Sequence, residues 1–344
     1  MSAEARWLTG LEERARERLA PALLEYVLQG ARESTSAGEA VDAWSRVRFR
    51  PRVLHDVTHV DPGVTLLGHR CEIPFGVAPT TLQRAVHPEG EVAMARATAE
   101  AGGVLVVSSN AGTPFDRIGA TGVHWWLQAY LPADRTLAEP LLDAAVAAGA
   151  RAVVLTVDTP VVGTKYASPE VPVVWDTVDP DLVRANFAPG YDDQPGAEKA
   201  LDLGPHDLGW LAARTGLPVV VKGVLRAEDA ERSVQAGAAA VWVSNHGGRQ
   251  LDRAASTASC LPDVVAAVGE RAQVYVDGGI RSGLDVLAAF ALGADGVFLG
   301  RLPLLALVEG APGVAALHRE LREQTIDALR LGGCRTVHDA RHLL

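Results

Sequence analysis

"QVYVDGGIRSGLDVLAAFALGADGVFLGR", residues 273–301, holds a strand, a helix and a second strand in immediate succession. "QVYV" is short, apolar and β-branched, and "DGG" stops it with an acid and two glycines. "SGLDVLAAFALG" then carries apolar residues at helical spacing and ends in Gly293, as a helix C-terminus should. "DGVFLGR" starts the next strand. A helix-length crossover joins parallel strands, and continuously apolar strands are those covered on both faces.

The same unit recurs upstream. Apolar runs occupy 74–80, 103–109, 124–130, 151–158, 218–224 and 239–245, ahead of 273–279 and 295–301. Ala-rich helical segments such as "EGEVAMARATAEAGG" (89–103) and "LAEPLLDAAVAAGA" (137–150) separate most of them. Eight β-α units in series predict an α/β fold, a closed (β/α)8 TIM barrel; a doubly wound open sheet is the alternative that the pattern alone allows. Residues 1–344 are expected to form one domain, with the barrel core at about 72–330. An N-terminal extension (1–71) should be helical at first and extended around 49–69. A long loop after strand 4 (about 160–205), rich in Pro, Asp and Gly, reads as a functional lid or a disordered segment.

Composition narrows the function classes. Hydrophobic residues make up 48% and charged residues 22% of 344, which suits a large soluble core. A net charge of −10 argues against nucleic acid, which needs clustered positive charge. Cys71, Cys260 and Cys334 are scattered, so neither a thiolate metal cage nor a disulfide framework is expected, and a cytoplasmic location fits. The N-terminus is too charged for a signal peptide, and no window approaches the roughly 20 apolar residues of a membrane span.

In a barrel, chemistry gathers where strands end at their C-termini. Those ends carry Pro79 and Thr80, Ser108 and Ser109, Gln128 and Tyr130, Thr156 and Asp158, then Lys222, Ser244 to His246, Asp277 to Gly279, and Gly300 with Arg301. Any one Ser or Thr there is more often a helix cap; all eight ends together point to a site. Two glycine-bearing turns running into helices, with Arg281 and Arg301 beside them, read as a phosphate site after strands seven and eight. The glycine fingerprint of nucleotide-binding open sheets is absent after the first strand. Lys222, in "VVVKGV", needs an anionic partner if buried: it can face a flavin, a Schiff-base carbonyl or a carboxylate, or be a structural ion pair. His246 can move a proton near neutral pH, Arg249 can grip a carboxylate with two parallel bonds, and Asp158 is the candidate to orient His246.

"SNHGGRQLD" (244–252), with "FRPRVL.DVT", "HPEGE", "LTVDTP", "VVVKGV", "DGGIRSGLDVL.A.ALGADGVFLGR" and "GCRTV" in order, resembles the FMN-dependent 2-hydroxy acid oxidases and dehydrogenases, the glycolate oxidase, lactate oxidase and mandelate dehydrogenase group. The resemblance covers nearly the whole chain. It implies His246 as general base with Asp158 stabilising it, Arg249 and Tyr26 on the substrate carboxylate, and Tyr130 near the substrate hydroxyl. Lys222 would stabilise negative charge on the flavin. Pro79, Thr80, Thr81, Ser108, Gln128, Thr156 and Ser244 would contact ring and ribityl chain, and Asp277, Gly278, Gly279, Arg281, Gly300 and Arg301 ribityl chain and phosphate.

The implied reaction turns an (S)-2-hydroxy acid into a 2-oxo acid, with O2 reoxidising the flavin and giving hydrogen peroxide. A quinone or protein acceptor, or an oxidative decarboxylating monooxygenase, is the alternative. No metal is expected, and the resemblance implies a homotetramer. The chain departs from many relatives in several places: Thr81 replaces a small residue beside the expected flavin N5, where it would block oxygen or hydrogen-bond the ring. Asn110 stands in place of a tryptophan, implying a substrate larger than glycolate. Thr164 and Lys165 replace an arginine pair, weakening a second carboxylate contact. No apolar insertion lies in the loop and no haem-binding domain precedes the barrel, so membrane-bound and cytochrome-fused forms are not expected.

Overall fold

The apolar runs form eight parallel strands: β1 (Gly76–Val77), β2 (Val104–Ser108), β3 (His124–Ala129), β4 (Val153–Thr156), β5 (Val219–Val224), β6 (Ala240–Val243), β7 (Gln273–Val276) and β8 (Gly296–Leu299). Each pairs with its sequence neighbour, and β8 pairs with β1, so the ring closes as a (β/α)8 barrel and the open sheet is excluded. The structure is a computed structural model and describes residues 7–166 and 168–344. The strands are shorter than the apolar runs, because the polar residues that end each run lie at or just past the last ladder position.

Side chains two apart on a strand share a face. Trp126, Trp242, Tyr275 and Phe298 are fully buried and meet inside the barrel, with Trp242 and Phe298 ring centroids 4.0 Å apart. A Cβ at Gly76 would lie 2.4 Å from the Phe298 ring, so the glycine is what admits that ring. Truncating Phe298 to alanine would cost about 3–5 kcal/mol for the cavity left behind. Two residues further along the strands the same inward face turns polar, at Gln128, Ser244 and Asp277, joined by Ser108, Thr156 and Lys222 from the neighbouring strands. An aromatic floor therefore carries a polar rim.

The opposite end is closed by an antiparallel hairpin, Val64–Leu66 with His69–Cys71. Leu67 N–H donates to Gln273 Oε1 at 2.8 Å, and Gln273 Nε2 to the Thr65 carbonyl at 2.9 Å, pinning the hairpin to the first residue of β7. With that end covered, the cavity opens among the C-terminal strand ends.

The N-terminal extension is helical as expected, in α1 (Leu11–Arg18), α2 (Pro21–Leu28) and α3 (Thr35–Ser45). Tyr26 in α2 reaches the mouth as the resemblance implied; the packing of α3 against it is the unforeseen part. A Cβ at Gly279 would lie 2.3 Å from the Ala40 carbonyl, and one at Gly248 would lie 2.4 Å from the Ala37 amide. These glycines therefore make room for α3, a packing demand additional to the ligand role expected of Gly279. Trp44 Nε1 donates to the Gly278 carbonyl at 2.7 Å and anchors α3 to the turn after β7.

Among the described residues, 160–204 hold no strand and only 3-10 turns (Val174–Asp176, Pro180–Val183, Tyr191–Asp193) before the helix Pro205–Thr215. Lys165 bridges to Arg32 and Lys199 to Pro132, which tie the segment to α2–α3 and to the end of β3. Among the described residues, no helix is long and apolar enough to cross a membrane, and no cluster of residues could hold a metal ion.

Candidate active site

Past β4 and β6 the chain sets an acid–base pair. Asp158 lies two residues beyond β4, against Gly223 in the β5 bulge; a Cβ there would come within 2.6 Å of Asp158 Cβ, and the backbone has φ +112°. His246 opens the short turn His246–Gly248, which Asn245 caps by accepting the Gly248 N–H at 3.2 Å. His246 itself has φ +58°, a left-handed conformation that costs a non-glycine residue about 1–2 kcal/mol and directs its ring to Asp158. Nδ1 stands 2.9 Å from Asp158 Oδ1, which leaves Nε2 as the nitrogen with a free lone pair. Burial alone would raise the Asp158 pKa; the charge and hydrogen bond of His246, with Lys222 and Thr159, outweigh it and hold the group below the usual carboxylate range. The expected pairing across strands four and six is therefore present.

Lys222 resolves to a carboxylate. Its Nζ is 3.2 Å from Asp277 Oδ2 and donates to Ser244 Oγ at 2.9 Å, while Ser244 Oγ donates to Asp277 Oδ1 at 2.6 Å. Ser244 also accepts the His246 N–H at 3.1 Å, so one buried hydroxyl ties lysine, aspartate and histidine together. Beside this triangle, Ser108 Oγ donates to Gln128 Oε1 (3.2 Å) and Gln128 Nε2 to Thr156 Oγ1 (3.0 Å).

The Arg249 guanidinium lies 4.7 Å above the Tyr26 ring. Its Nη1 donates to the Tyr26 and Gln29 carbonyls, both at 2.7 Å, which orients the plane and leaves Nε and Nη2 for a ligand. Burial first, then the Asp158 charge, pushes the Tyr130 hydroxyl well above its ordinary pKa, so it stays a neutral donor. Thr81 Oγ1 donates to the Asn110 carbonyl at 2.9 Å, which commits its proton away from the ring contact the sequence had allowed. Asn110 Oδ1 accepts from Arg184 at 3.2 Å.

At the far side, Arg281 and Arg301 meet no carboxylate within ion-pair distance among the described residues; Arg301 donates only to the Gly247, Val27 and Gln29 carbonyls. Burial, with Arg249 and Arg281 nearby, lowers Arg301 to about 9, and burial lowers Arg281. A Cβ at Gly300 would meet nothing within 4 Å, so open space borders two uncompensated guanidiniums. That combination suits a phosphate dianion, and the whole rim suits a phosphorylated ring system such as FMN.

One cavity brings together Tyr26, Pro79, Thr80, Thr81, Ser108, Asn110, Gln128, Tyr130, Thr156, Lys165, Lys222, His246, Arg249, Asp277, Gly278, Gly279, Arg281, Gly300 and Arg301. Of the residues named from sequence at the strand ends, Ser109, Asp158, Ser244 and Asn245 do not line it; Asp158 and Ser244 reach it through His246 and Lys222, and Asn245 caps the His246 turn. The lining residues that sequence reasoning missed include Thr159, Trp175, Lys199 and Gln250. Thr159 and Gln250 adjoin predicted residues in sequence: Gln250 Nε2 donates to Thr159 Oγ1 at 2.6 Å, and Thr159 Oγ1 donates to Asp158 Oδ1 at 3.0 Å. Trp175, edge-on to Tyr26 at 5.4 Å, and Lys199, 3.9 Å from the Tyr130 ring centre, come from the irregular segment, where no periodicity marks a position.

Comparison with known proteins agrees with this geometry. The family model described as FMN-dependent dehydrogenase matches residues 15–344. The chain is 39% identical over 341 residues to glycolate oxidase 1 of Oryza sativa subsp. indica, covering 94% of this chain and 91% of the relative. It is 38% identical over 339 residues to glycolate oxidase of Spinacia oleracea, with the same coverage. A solved structure of mandelate oxidase superposes with TM-score 0.89 at 38% identity over 99% of this chain and 98% of that one. Mandelate oxidase with (S)-4-hydroxymandelic acid also gives 0.89, at 37% identity and the same coverage.

Proposed function

The chain belongs to the FMN-dependent dehydrogenase family, and from that premise we propose that it oxidises an (S)-2-hydroxy acid to the 2-oxo acid, with O2 as final acceptor and hydrogen peroxide as second product. The observation that carries this reading is the His246–Asp158 pair facing the same cavity as the unfilled fork of Arg249. The named relatives are glycolate and mandelate oxidases, which supports oxygen over a quinone or protein acceptor.

Bound FMN would supply a two-electron acceptor at the barrel mouth. Arg281 and Arg301 would hold its phosphate, with Gly278, Gly279 and Gly300 shaping the turns beside it. Pro79, Thr80, Ser108, Gln128 and Thr156 would hold the ring and its polyol chain, while Lys222, fixed by Asp277 and Ser244, would place positive charge where the reduced ring gains negative charge. Arg249 Nε and Nη2 would bind the substrate carboxylate, assisted by Tyr26 and Lys165, and the Tyr130 hydroxyl would orient the substrate hydroxyl. His246 Nε2 would accept the proton the substrate loses, and Asp158 would stabilise the resulting imidazolium through Nδ1. Thr81 and Asn110 would shape the space beside the reacting carbon; Asn110 in place of a bulky ring favours a substrate larger than glycolate.

We extend the reading to a single domain over 1–344, in a cytoplasmic homotetramer. The free thiols Cys71, Cys260 and Cys334 favour a reducing compartment. Exposed Leu284 and Leu331 edge an apolar groove that association would cover; light scattering checks the assembly.

The test is anaerobic mixing of the yellow protein with a panel of 2-hydroxy acids including glycolate and mandelate. Flavin absorbance should bleach, faster with mandelate, and oxygen should restore it with one peroxide formed per turnover. No bleaching by any 2-hydroxy acid overturns the reading, and slow return with oxygen moves it to a dehydrogenase.

A further inference from the structure

The outer wall of the cavity holds a cation that the proposed reaction does not use. Lys199 comes from the irregular segment, yet its backbone is fixed: Ala133 N–H donates to the Glu198 carbonyl at 2.8 Å and Ala200 N–H to the Leu131 carbonyl at 2.9 Å. These bonds flank an antiparallel bridge between Lys199 and Pro132, just past β3. The ladder sets the Lys199 ammonium 3.9 Å from the centre of the Tyr130 ring, on the wall of the cavity that Arg249 and Lys165 also line.

Each other cation in the cavity has an anion or an assigned one. Lys222 pairs with Asp277. Arg281 and Arg301 face the phosphate position. Arg249 and Lys165 suffice for one substrate carboxylate, and Lys165 Nζ is already steadied by the Gly163 and Arg249 carbonyls at 2.9 and 3.3 Å. Lys199 has only the π-face of Tyr130, and among the described residues no carboxylate lies within ion-pair distance of it. A half-buried ammonium with no carboxylate in contact is unfavourable, and burial lowers its pKa below the ordinary lysine range, outweighing the charge of Asp158 that acts from a distance. Tyr26, Trp175 and Val162 give the same region apolar walls that can take an aliphatic stem.

We propose that Lys199 recognises a second anionic group at the far end of the substrate side chain, so that the preferred substrates are 2-hydroxy acids bearing a terminal carboxylate. The inference rests on the hydroxy acid oxidation proposed above and narrows its substrate class.

Two ligand pairs test it on the flavin-loaded protein: (S)-2-hydroxypentanoate against (S)-2-hydroxypentanedioate for flavin reduction, and pentanoate against pentanedioate for calorimetric binding. In the parent protein the dianion should show a KM and a dissociation constant about ten-fold or more below the monoanion, the effect of one charge-assisted contact. Lys199→Met should bring that ratio near one, and Lys199→Arg should restore most of it. A parent ratio near one, undetectable pentanedioate binding, or a ratio unchanged in Lys199→Met overturns the proposal. Equal weakening of both ligands also overturns it, since Lys199 would then only attract anions in general. If calorimetry keeps the ratio but neither hydroxy acid bleaches the flavin, the oxidation reading fails and the dianion site stands.

Discussion

His246 Nδ1 lies 2.9 Å from Asp158 Oδ1 although the two residues are 88 apart in sequence, and the contact fixes which ring nitrogen can take a proton. Asp158 stays ionised because the imidazole opposite it outweighs the burial of its carboxyl. Asp158→Asn keeps the shape and removes the charge. Its rate of flavin reduction in anaerobic stopped flow should fall by about 10²–10⁴-fold, the range for a disabled acid–base group, with a much smaller change in KM. A loss under about three-fold would remove Asp158 from the proposed mechanism.

Gln250 reaches that pair through Thr159 and accepts the Gly163 N–H through Oε1 at 2.8 Å, so one side chain joins the start of the irregular segment to the acid–base pair. Gln250→Leu cuts both bonds while leaving every group that touches substrate in place. It should lower kcat by about ten-fold, as loss of positioning rather than of chemistry, and shift the pH profile of kcat. Gln250→Glu, which keeps the acceptor for Gly163, should retain more activity than the leucine variant.

Among the described residues Arg301 has carbonyl partners and no carboxylate, and burial lowers its pKa. If a phosphate completes it, Arg301→Met should weaken FMN retention by about 10–100-fold, the worth of one charged hydrogen bond. Flavin fluorescence on serial dilution reads this directly, and unchanged retention would contradict the phosphate assignment.

His318 is fully buried in the long helix Gly310–Gly332, and burial pushes its pKa from 6.5 to about 4. A depressed folded-state value means that the unfolded chain takes the proton first. The contribution to stability is complete above pH 6.5 and is lost as pH falls toward 4. A difference of that size is worth up to about 3 kcal/mol. Thermal unfolding from pH 7 to 4 should therefore show a smaller drop in midpoint for His318→Leu than for the parent; parallel curves would contradict it.

The ring of strands was legible because burial on both faces demands continuously apolar runs, and each run ends where a polar residue begins. Gln128, Lys222, Ser244 and Asp277 were found for the same reason: a polar side chain after an apolar run stands at the mouth. Thr159 and Gln250 lay beside residues already singled out, but nothing local distinguishes a threonine that bonds to Asp158 from one that caps a turn. Gly248 and Gly279 also leave room for helix α3, a packing demand that nothing local in the sequence shows.

What the sequence determined by itself was everything set by short-range pattern: the strand and helix periods, the series of eight β-α units, and the polar residues at the strand ends. Tertiary structure alone decided which carbonyls orient Arg249, which carboxylate holds Lys222, and that Trp175 and Lys199 reach the cavity. Those relations join residues far apart in the chain, and their energies depend on distance and burial, which exist only once the chain has closed on itself.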